Sequence, residues 1–201
     1  MAQQQPQTRS QYRIQLYKLS LAALFISLSI ILTRYASITP VPTIRVGFGS
    51  IPIQIAGIFL GPLSGAVVGL IADPLGFVMN PQGTYHLGFT LTSVLNGLIP
   101  GLIALALRRK SDPTVKSNSK WRSVYLALLT TLTITIFCSA LLNTAWLSQL
   151  IGTPYDILFI GRLPAIILTA VVHFALLIII IPALERAGAG RLLKRNRRKQ
   201  A

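Results

Sequence analysis

Three arginines outside the strongly basic segments of this sequence have the chemistry to bind an anion. Arg34 and Arg45 lie in a stretch rich in proline and glycine, and Arg162 lies near the start of a long apolar run. A guanidinium group at membrane depth is costly and usually has a function. Arginine binds carboxylates through two parallel hydrogen bonds, and such pairs strengthen where water is excluded. The alternative for each arginine alone is that its long side chain simply reaches the lipid headgroups.

Amide and aromatic side chains near these arginines are suited to a flat heterocycle. Asn143 and Trp146 are three residues apart, so they share one face of a helix. Tyr85 and His86 lie in a second polar stretch, and we include both among the candidate substrate-binding residues. A ligand with carboxylates at one end and an aromatic ring at the other would use both the arginines and this second group.

The sequence contains none of the motifs that would indicate catalysis. It has no Walker-type nucleotide loop, no GxSxG and no HExxH. One cysteine, Cys138, and two histidines far apart in the chain predict neither an internal disulfide nor a metal site. We therefore expect no enzyme activity, no catalytic residue and no cofactor. If the chain moves a solute, the energy has to come from partner proteins or from a gradient.

The composition is that of a protein that crosses a membrane several times. Of the 201 residues, 52% are hydrophobic and only 11% are charged. The net charge of +15 arises from 19 lysines and arginines against 4 acidic residues. These cations flank apolar runs, a pattern that controls membrane topology rather than binding of nucleic acid. We therefore expect the lipid bilayer, and no nucleic acid, as a partner.

The apolar runs predict an all-α protein, a bundle of six transmembrane helices with structured outer loops. Gly61 and Pro62 divide one long apolar stretch into two shorter helices. We expect a tail at 1–12, a membrane domain at 13–185 and a basic tail at 186–201. The expected helices cover 13–33, 51–60, 63–79, 88–107, 123–147 and 157–184.

The distribution of positive charge predicts the orientation of this bundle. The N-terminal segment carries three cations, the loop at 108–122 carries six and the C-terminal tail carries seven. With six helices these three segments lie on one side, which the positive-inside rule identifies as the cytoplasm. Both termini are then cytoplasmic, and Arg34, Arg45 and Arg162 lie on the outer side. Only Asp73 and Asp156 are available there as acids.

Two further patterns inside the helices have a structural and a functional interpretation. Asp73 lies within an apolar run, so it either has a function or is paired with a neighbouring donor, and Pro74 after it could mark a kink. Ala23 and Ser27 are four residues apart, and small residues at this spacing allow close approach of another helix. That helix can belong to the same chain or to a partner.

Four segments together resemble the substrate-binding (S) components of energy-coupling factor (ECF) vitamin transporters, and among these the folate-specific branch. The last segment is the most specific, because it combines an LNTxWL run, a Gly-x-Pro turn and an arginine in the next helix. The resemblance covers roughly 13–185. The segments are ALFISLSIILTRY, RVGFGSIPIQIAGIFLGPLSGAVVGLIAD, NPQGTYHLGFTLTSVLNGLIPG and LLNTAWLSQLIGTPYDILFIGRLPA.

The resemblance implies a vitamin-binding subunit of a bacterial importer in the cell membrane. Its pocket would face outward, and Arg34, Arg45 and Arg162 would hold the glutamate carboxylates or the polar edge of folate. Asn143 and Trp146 would contact the heterocycle or shape its pocket.

The resemblance also implies partner proteins. These are a transmembrane coupling subunit and two ATP-binding cassette ATPases, and the face with Ala23 and Ser27 would dock on the coupling subunit. Serine stands there in place of the family's usual second alanine.

Two other functions remain open at this point. The chain could be an S component for another flat anionic or polar vitamin. It could also be a membrane scaffold that binds anionic lipid through its cytoplasmic basic segments. A scaffold should tolerate Arg162→Ala, whereas an anion-binding pocket should not.

Overall fold

The computed structural model describes residues 9–36, 38–41, 44–81, 84–110 and 119–186. This part of the chain is almost entirely helical, which confirms the all-α membrane bundle predicted from the apolar runs. The helices are α1 Arg9–Arg34, α2 Ser50–Leu60, α3 Pro62–Met79, α4 Leu87–Lys110, α5 Ser119–Thr133, a π-helical segment Ile134–Leu142, α6 Asn143–Ile151 and α7 Tyr155–Arg186.

Five helical stretches within the described residues are long and apolar enough to cross a membrane. The fourth of them is continuous from Trp121 to Ile151 and includes α5, the π segment and α6. The shorter apolar helix α2 is the sixth helical unit. The five stretches are Gln15–Arg34, Pro62–Met79, Leu87–Leu107, Trp121–Ile151 and Tyr155–Arg186.

Glycine ends two of the helices by adopting a left-handed backbone. Gly61 (φ 108°) separates α2 from α3, and Pro62 then begins α3, where its missing N–H is not needed. Gly152 (φ 74°) ends α6, and its N–H bonds to the Ser148 carbonyl at 2.9 Å. Because the stop signal is at Gly152, this helix continues past the expected end at 147 to Ile151.

The stretch between α1 and α2 contains a short hairpin that the sequence patterns did not indicate. Strands β1 (Ile38–Val41) and β2 (Ile44–Val46) pair antiparallel, with Ile38 opposite Val46 and Val41 opposite Ile44. The next residues bring the chain back into the bundle at α2. The hairpin is the only strand pairing among the described residues.

Helices α2, α3 and α4 touch through their backbones at several glycines. A Cβ atom added to Gly65 would lie 2.5 Å from the Gly57 Cα atom, and one added to Gly97 would overlap the Gly65 carbonyl. Gly69 approaches the Ser93 carbonyl in the same way. Small residues are what permits such close packing in a membrane. Gly61, four residues before Gly65, takes no part in these contacts and forms the turn between α2 and α3.

Candidate functional site

A cavity of about 210 Å³ lies inside the helical bundle. Most of its wall is polar, although the helices that form it are apolar, so the polar side chains are concentrated at this one place. A concave site where polar side chains converge is a candidate for binding a small polar molecule or part of one. Its charged and polar lining residues include Ser29, Arg34, Asp73, Asn96, Asn143 and His173.

Arg34 is held at the cavity by groups from α3. The Asp73 carboxylate is close enough to attract its guanidinium group. The guanidinium carbon also lies 5.8 Å from the centre of the Phe77 ring, within the range of a cation–π contact. Gly76 leaves room for the side chain, since an added Cβ atom would lie 3.2 Å from Arg34 Nε. Arg34 and Asp73 therefore bring opposite charges to the wall of the same cavity.

Asp73 is paired with a neighbouring donor, which is one of the two interpretations left open by the sequence, and it also lines the cavity. The Thr90 hydroxyl donates to Asp73 Oδ2 at 2.7 Å. Tyr85 Oη lies 2.6 Å from Thr90 Oγ1. A threonine hydroxyl has one proton, which here goes to Asp73, so Tyr85 is the donor in the second bond. The Tyr85 ring also packs on Phe77, with ring centres 5.1 Å apart.

His86 and Trp146, two other predicted site residues, contact each other. Their ring centres are 5.5 Å apart, and the Trp146 ring occupies the space that a side chain at position 88 would need. The Gly88 N–H donates to His86 Nδ1 at 3.1 Å, which fixes this ring at the start of α4. Trp146 therefore joins α6 to α4, and its buried Nε1 atom has no hydrogen-bond partner within the described residues.

The structure describes the side chain of Arg162 but only the backbone of Arg45. Arg162 Nη1 donates to Thr144 Oγ1 at 3.0 Å, and Thr144 is fully buried next to Asn143. The backbone of Arg45 lies in β2, and its side chain is outside the described part of the structure. Of the predicted substrate-binding residues, Arg34 and Asn143 line the cavity, and Tyr85 reaches its wall through Thr90.

The segment that leads from β2 into α2 covers part of the cavity and is fixed from two sides. The Ser29 hydroxyl donates to the Gly49 carbonyl at 2.7 Å, and His173 Nε2 lies 3.1 Å from the Gly47 carbonyl. A carbonyl only accepts, so His173 has its proton on Nε2. Ser29, Asn96 and His173 were not predicted as site residues. Their only signal in the sequence is that each is a polar residue inside an apolar run.

The expected docking residues lie on the outside of α1. Ala23 and Ser27 are both exposed. The Ser27 hydroxyl donates to the Ala23 carbonyl at 3.0 Å, one turn earlier in the same helix. Because this hydroxyl is used within the helix, Ser27 presents a small surface with little need for an external hydrogen-bond partner.

A metal site is not formed by the residues that the structure describes. Among them, no three His, Cys, Asp or Glu side chains come together as ligands for an ion. The lining of the cavity offers hydrogen-bonding side chains and the opposite charges of Arg34 and Asp73.

Comparisons with known proteins point in one direction. The family model "ECF transporter, substrate-specific component" matches residues 17–181. A folate transporter, FolT, of Clostridium novyi (strain NT) is 36% identical over 141 residues, which are 70% of this chain and 74% of that protein. FolT of Leuconostoc mesenteroides is 28% identical over 137 residues, 68% of this chain and 66% of its own length.

The fold is also that of a solved structure. A crystal structure of FolT bound with folic acid superposes with a TM-score of 0.59 and covers 87% of this chain and 94% of its own. Its sequence is 23% identical, so this likeness concerns the arrangement of the helices.

Proposed function

Since the chain belongs to the substrate-specific components of ECF transporters, as the match over residues 17–181 shows, we propose that it captures folate outside the membrane and delivers it inward. The family is a transporter component and not an enzyme. The first support for folate is the name of the relatives, both of which are folate transporters. The second is the chemistry of the cavity.

The observation that carries the proposal is the cavity that Arg34, Asp73 and Asn143 line together. The two charges offset one another, and the rest of its polar lining is made of hydroxyl, amide and imidazole groups. Such a wall is suited to a neutral heterocycle with several donors and acceptors. The pterin ring of folate is one, and its adjacent N–H groups match the two oxygens of a carboxylate. We assign the ring to this cavity, near Asp73.

The glutamate end of folate then points towards the segment that covers the cavity. The Asp73 carboxylate offers acceptors and no donor, so it suits the N–H groups of the ring better than the carboxylates of the glutamate end. Arg45 belongs to the strand β2 that precedes this segment, and we keep it as the candidate partner for a glutamate carboxylate. Trp146 and His86 lie outside the cavity lining, and their contact joins α6 to the start of α4.

The proposal includes partners and a location. The chain is a membrane protein with several apolar helices long enough to span the bilayer. We propose that it lies in the cell membrane of a bacterium with both termini in the cytoplasm, as its charge distribution favours. A transmembrane coupling subunit and two ATP-binding cassette ATPases would supply the energy. The exposed face with Ala23 and Ser27 is the proposed docking site for the coupling subunit.

The test is direct binding to the full-length chain purified in detergent. Folate, thiamine, riboflavin and pantothenate are titrated by calorimetry, and tryptophan fluorescence is followed in parallel with correction for ligand absorbance. The sequence has two tryptophans, so Trp146→Phe and the exposed Trp121→Phe form a matched pair. We expect saturable binding of folate alone and loss of the fluorescence response only in Trp146→Phe. Binding of a different vitamin, or of none, would contradict folate as the substrate.

A further inference from the structure

The helical span that carries Asn143 changes its winding immediately before that residue. The π segment runs from Ile134 to Leu142, and α6 begins at Asn143. The Asn143 N–H accordingly bonds to the Cys138 carbonyl, five residues back instead of four. π turns are rare inside α-helices and frequently occur at functional sites. Something has to stabilise this wider winding over the alternative α-helix.

Two carbonyl oxygens near the end of the π segment accept hydrogen bonds from side chains. The Thr144 hydroxyl donates to the Ser139 carbonyl at 3.3 Å, and Tyr155 Oη donates to the Ala140 carbonyl at 3.1 Å. A backbone carbonyl in the apolar part of a membrane protein is costly if it has no partner. These two side chains therefore favour the π-helical backbone over an α-helical one near the junction with α6.

Arg162 completes this arrangement. Its Nη1 atom donates to Thr144 Oγ1 at 3.0 Å, so the hydroxyl of Thr144 is used both as a donor and as an acceptor. Tyr155 and Arg162 are seven residues apart on α7, which puts them two turns apart on one face. We call Thr144, Tyr155 and Arg162 the π clamp, because together they attach α7 to the end of the π segment.

The π clamp and the cavity use different sides of the same backbone. Ser139 and Asn143 line the cavity, whereas the lining that the described residues define includes none of the three clamp residues. The clamp is bonded to the Ser139 carbonyl and includes Thr144, the residue that follows Asn143. It therefore acts on the backbone from which two cavity side chains project.

We propose that Arg162 is a positioning residue, which supports ligand binding through Thr144 and the π segment instead of contacting a ligand carboxylate. This differs from the anion-binding role that the sequence led us to expect for Arg162. The inference rests on the proposed function only for the identity of the ligand. The clamp itself is a property of the protein without ligand.

The first experiment separates positioning from direct contact by removing the two glutamate carboxylates of the ligand. Folate and pteroate, which lacks the glutamate part and keeps only its benzoate carboxylate, are titrated against the wild type, Arg162→Gln, Thr144→Val and the double variant, and 6-hydroxymethylpterin serves as a ligand without any carboxylate. A lost buried hydrogen bond should weaken binding roughly tenfold. We expect this weakening for both ligands alike, and no further loss in the double variant, since the two residues act as one unit. Thr144→Ser keeps the hydroxyl and should bind like the wild type.

A direct contact with a glutamate carboxylate would give the opposite pattern. Arg162→Gln would then weaken folate and leave pteroate unchanged, and its effect would add to that of Thr144→Val. Either result would overturn the proposal. If Arg162→Gln does not yield folded protein, the binding of both ligands is compared between Thr144→Val and Thr144→Ser. Only the first of these variants removes the hydroxyl that Arg162 contacts.

The second experiment needs no ligand. Cys138 is the single cysteine of the sequence, and it is fully buried within the π segment. Its rate of reaction with a neutral maleimide reports how often this segment opens. We expect Arg162→Gln and Thr144→Val to raise the rate on the order of tenfold, with Thr144→Ser unchanged. Unchanged rates in both variants would refute the clamp. Failure of the wild type to bind folate or pteroate would refute only the proposed function.

Discussion

The hydroxyl of Thr90 donates to the carboxylate of Asp73 at 2.7 Å and thereby joins the first turn of α4 to α3. Tyr85 extends the connection from Thr90 towards the stretch before α4. Asp73 in turn attracts Arg34 at the end of α1. Three helices thus meet at one carboxylate in the wall of the cavity, and the first predictions concern this network.

Asp73→Asn should weaken folate binding more than Asp156→Asn does. The substitution removes the charge that offsets Arg34 and an acceptor of charge-assisted hydrogen bonds, so we expect affinity to fall on the order of 10- to 100-fold. Calorimetry with the purified chain measures this. Asp156→Asn is the matched control, because Asp156 is exposed in the first turn of α7. Equal effects of the two substitutions would contradict the assigned role of Asp73.

Thr90→Val and Thr92→Val form a pair that isolates the hydrogen bond to Asp73. Both threonines are buried in α4, but Thr92 donates to the Gly88 carbonyl of its own helix. Thr90→Val should lower the free energy of unfolding by about 1–3 kcal/mol, because it leaves Asp73 and Tyr85 without their shared partner. Thr92→Val should lower the free energy of unfolding by less than about 1 kcal/mol, because the Gly88 carbonyl remains part of the backbone of α4. Unfolding in SDS measures both, and a larger loss for Thr92→Val would disprove the assignment.

Gly88→Ala should displace the Trp146 ring. An added methyl group meets this ring, so we expect a loss of about 1–3 kcal/mol from overpacking and a shifted emission maximum of Trp146 in a Trp121→Phe background. Gly161→Ala is the control, because a Cβ atom there meets nothing within 4 Å. The same shift in the Gly161→Ala protein would show that the emission does not report this contact.

Arg122→Ala should have only a small effect on stability. Arg122 Nη2 donates to Glu185 Oε1 at 3.1 Å, and the Ser123 hydroxyl donates to the other carboxylate oxygen at 3.2 Å. Pairs near the surface typically contribute about 0–1 kcal/mol and weaken with salt. We therefore expect a loss of under about 1 kcal/mol at low salt that shrinks at high salt. Arg186→Ala, at the exposed end of α7, serves for comparison. A loss independent of salt would indicate that packing, not charge, dominates.

The parts of the fold that could be predicted are those set by local sequence. The break at Gly61 and Pro62 follows from the backbone preferences of these two residues, and the structure has it at that place. The π segment could not be predicted in this way. Its winding depends on Tyr155 and Arg162, which belong to another helix, and no local pattern encodes their contacts.

The candidate site shows the same division. Charge and polarity in apolar surroundings singled out Arg34 and Asn143, which line the cavity. The partners of each side chain depend on how the helices pack, so the sequence did not reveal that Trp146 contacts His86 or that His173 holds the backbone at Gly47. Isolated polar residues in apolar runs are therefore a useful signal for a cavity, but they do not tell which residues meet.

The glycine contacts among α2, α3 and α4 have a consequence for genetic suppression. At Gly57, Gly65 and Gly97 an added side chain would meet the backbone of a neighbouring helix, so trimming another side chain makes no room for it. At Gly88 the obstacle is the indole of Trp146, which a smaller residue could replace. A selection for second-site revertants should therefore recover compensating changes for lesions at Gly88 and only true reversions at the other three glycines.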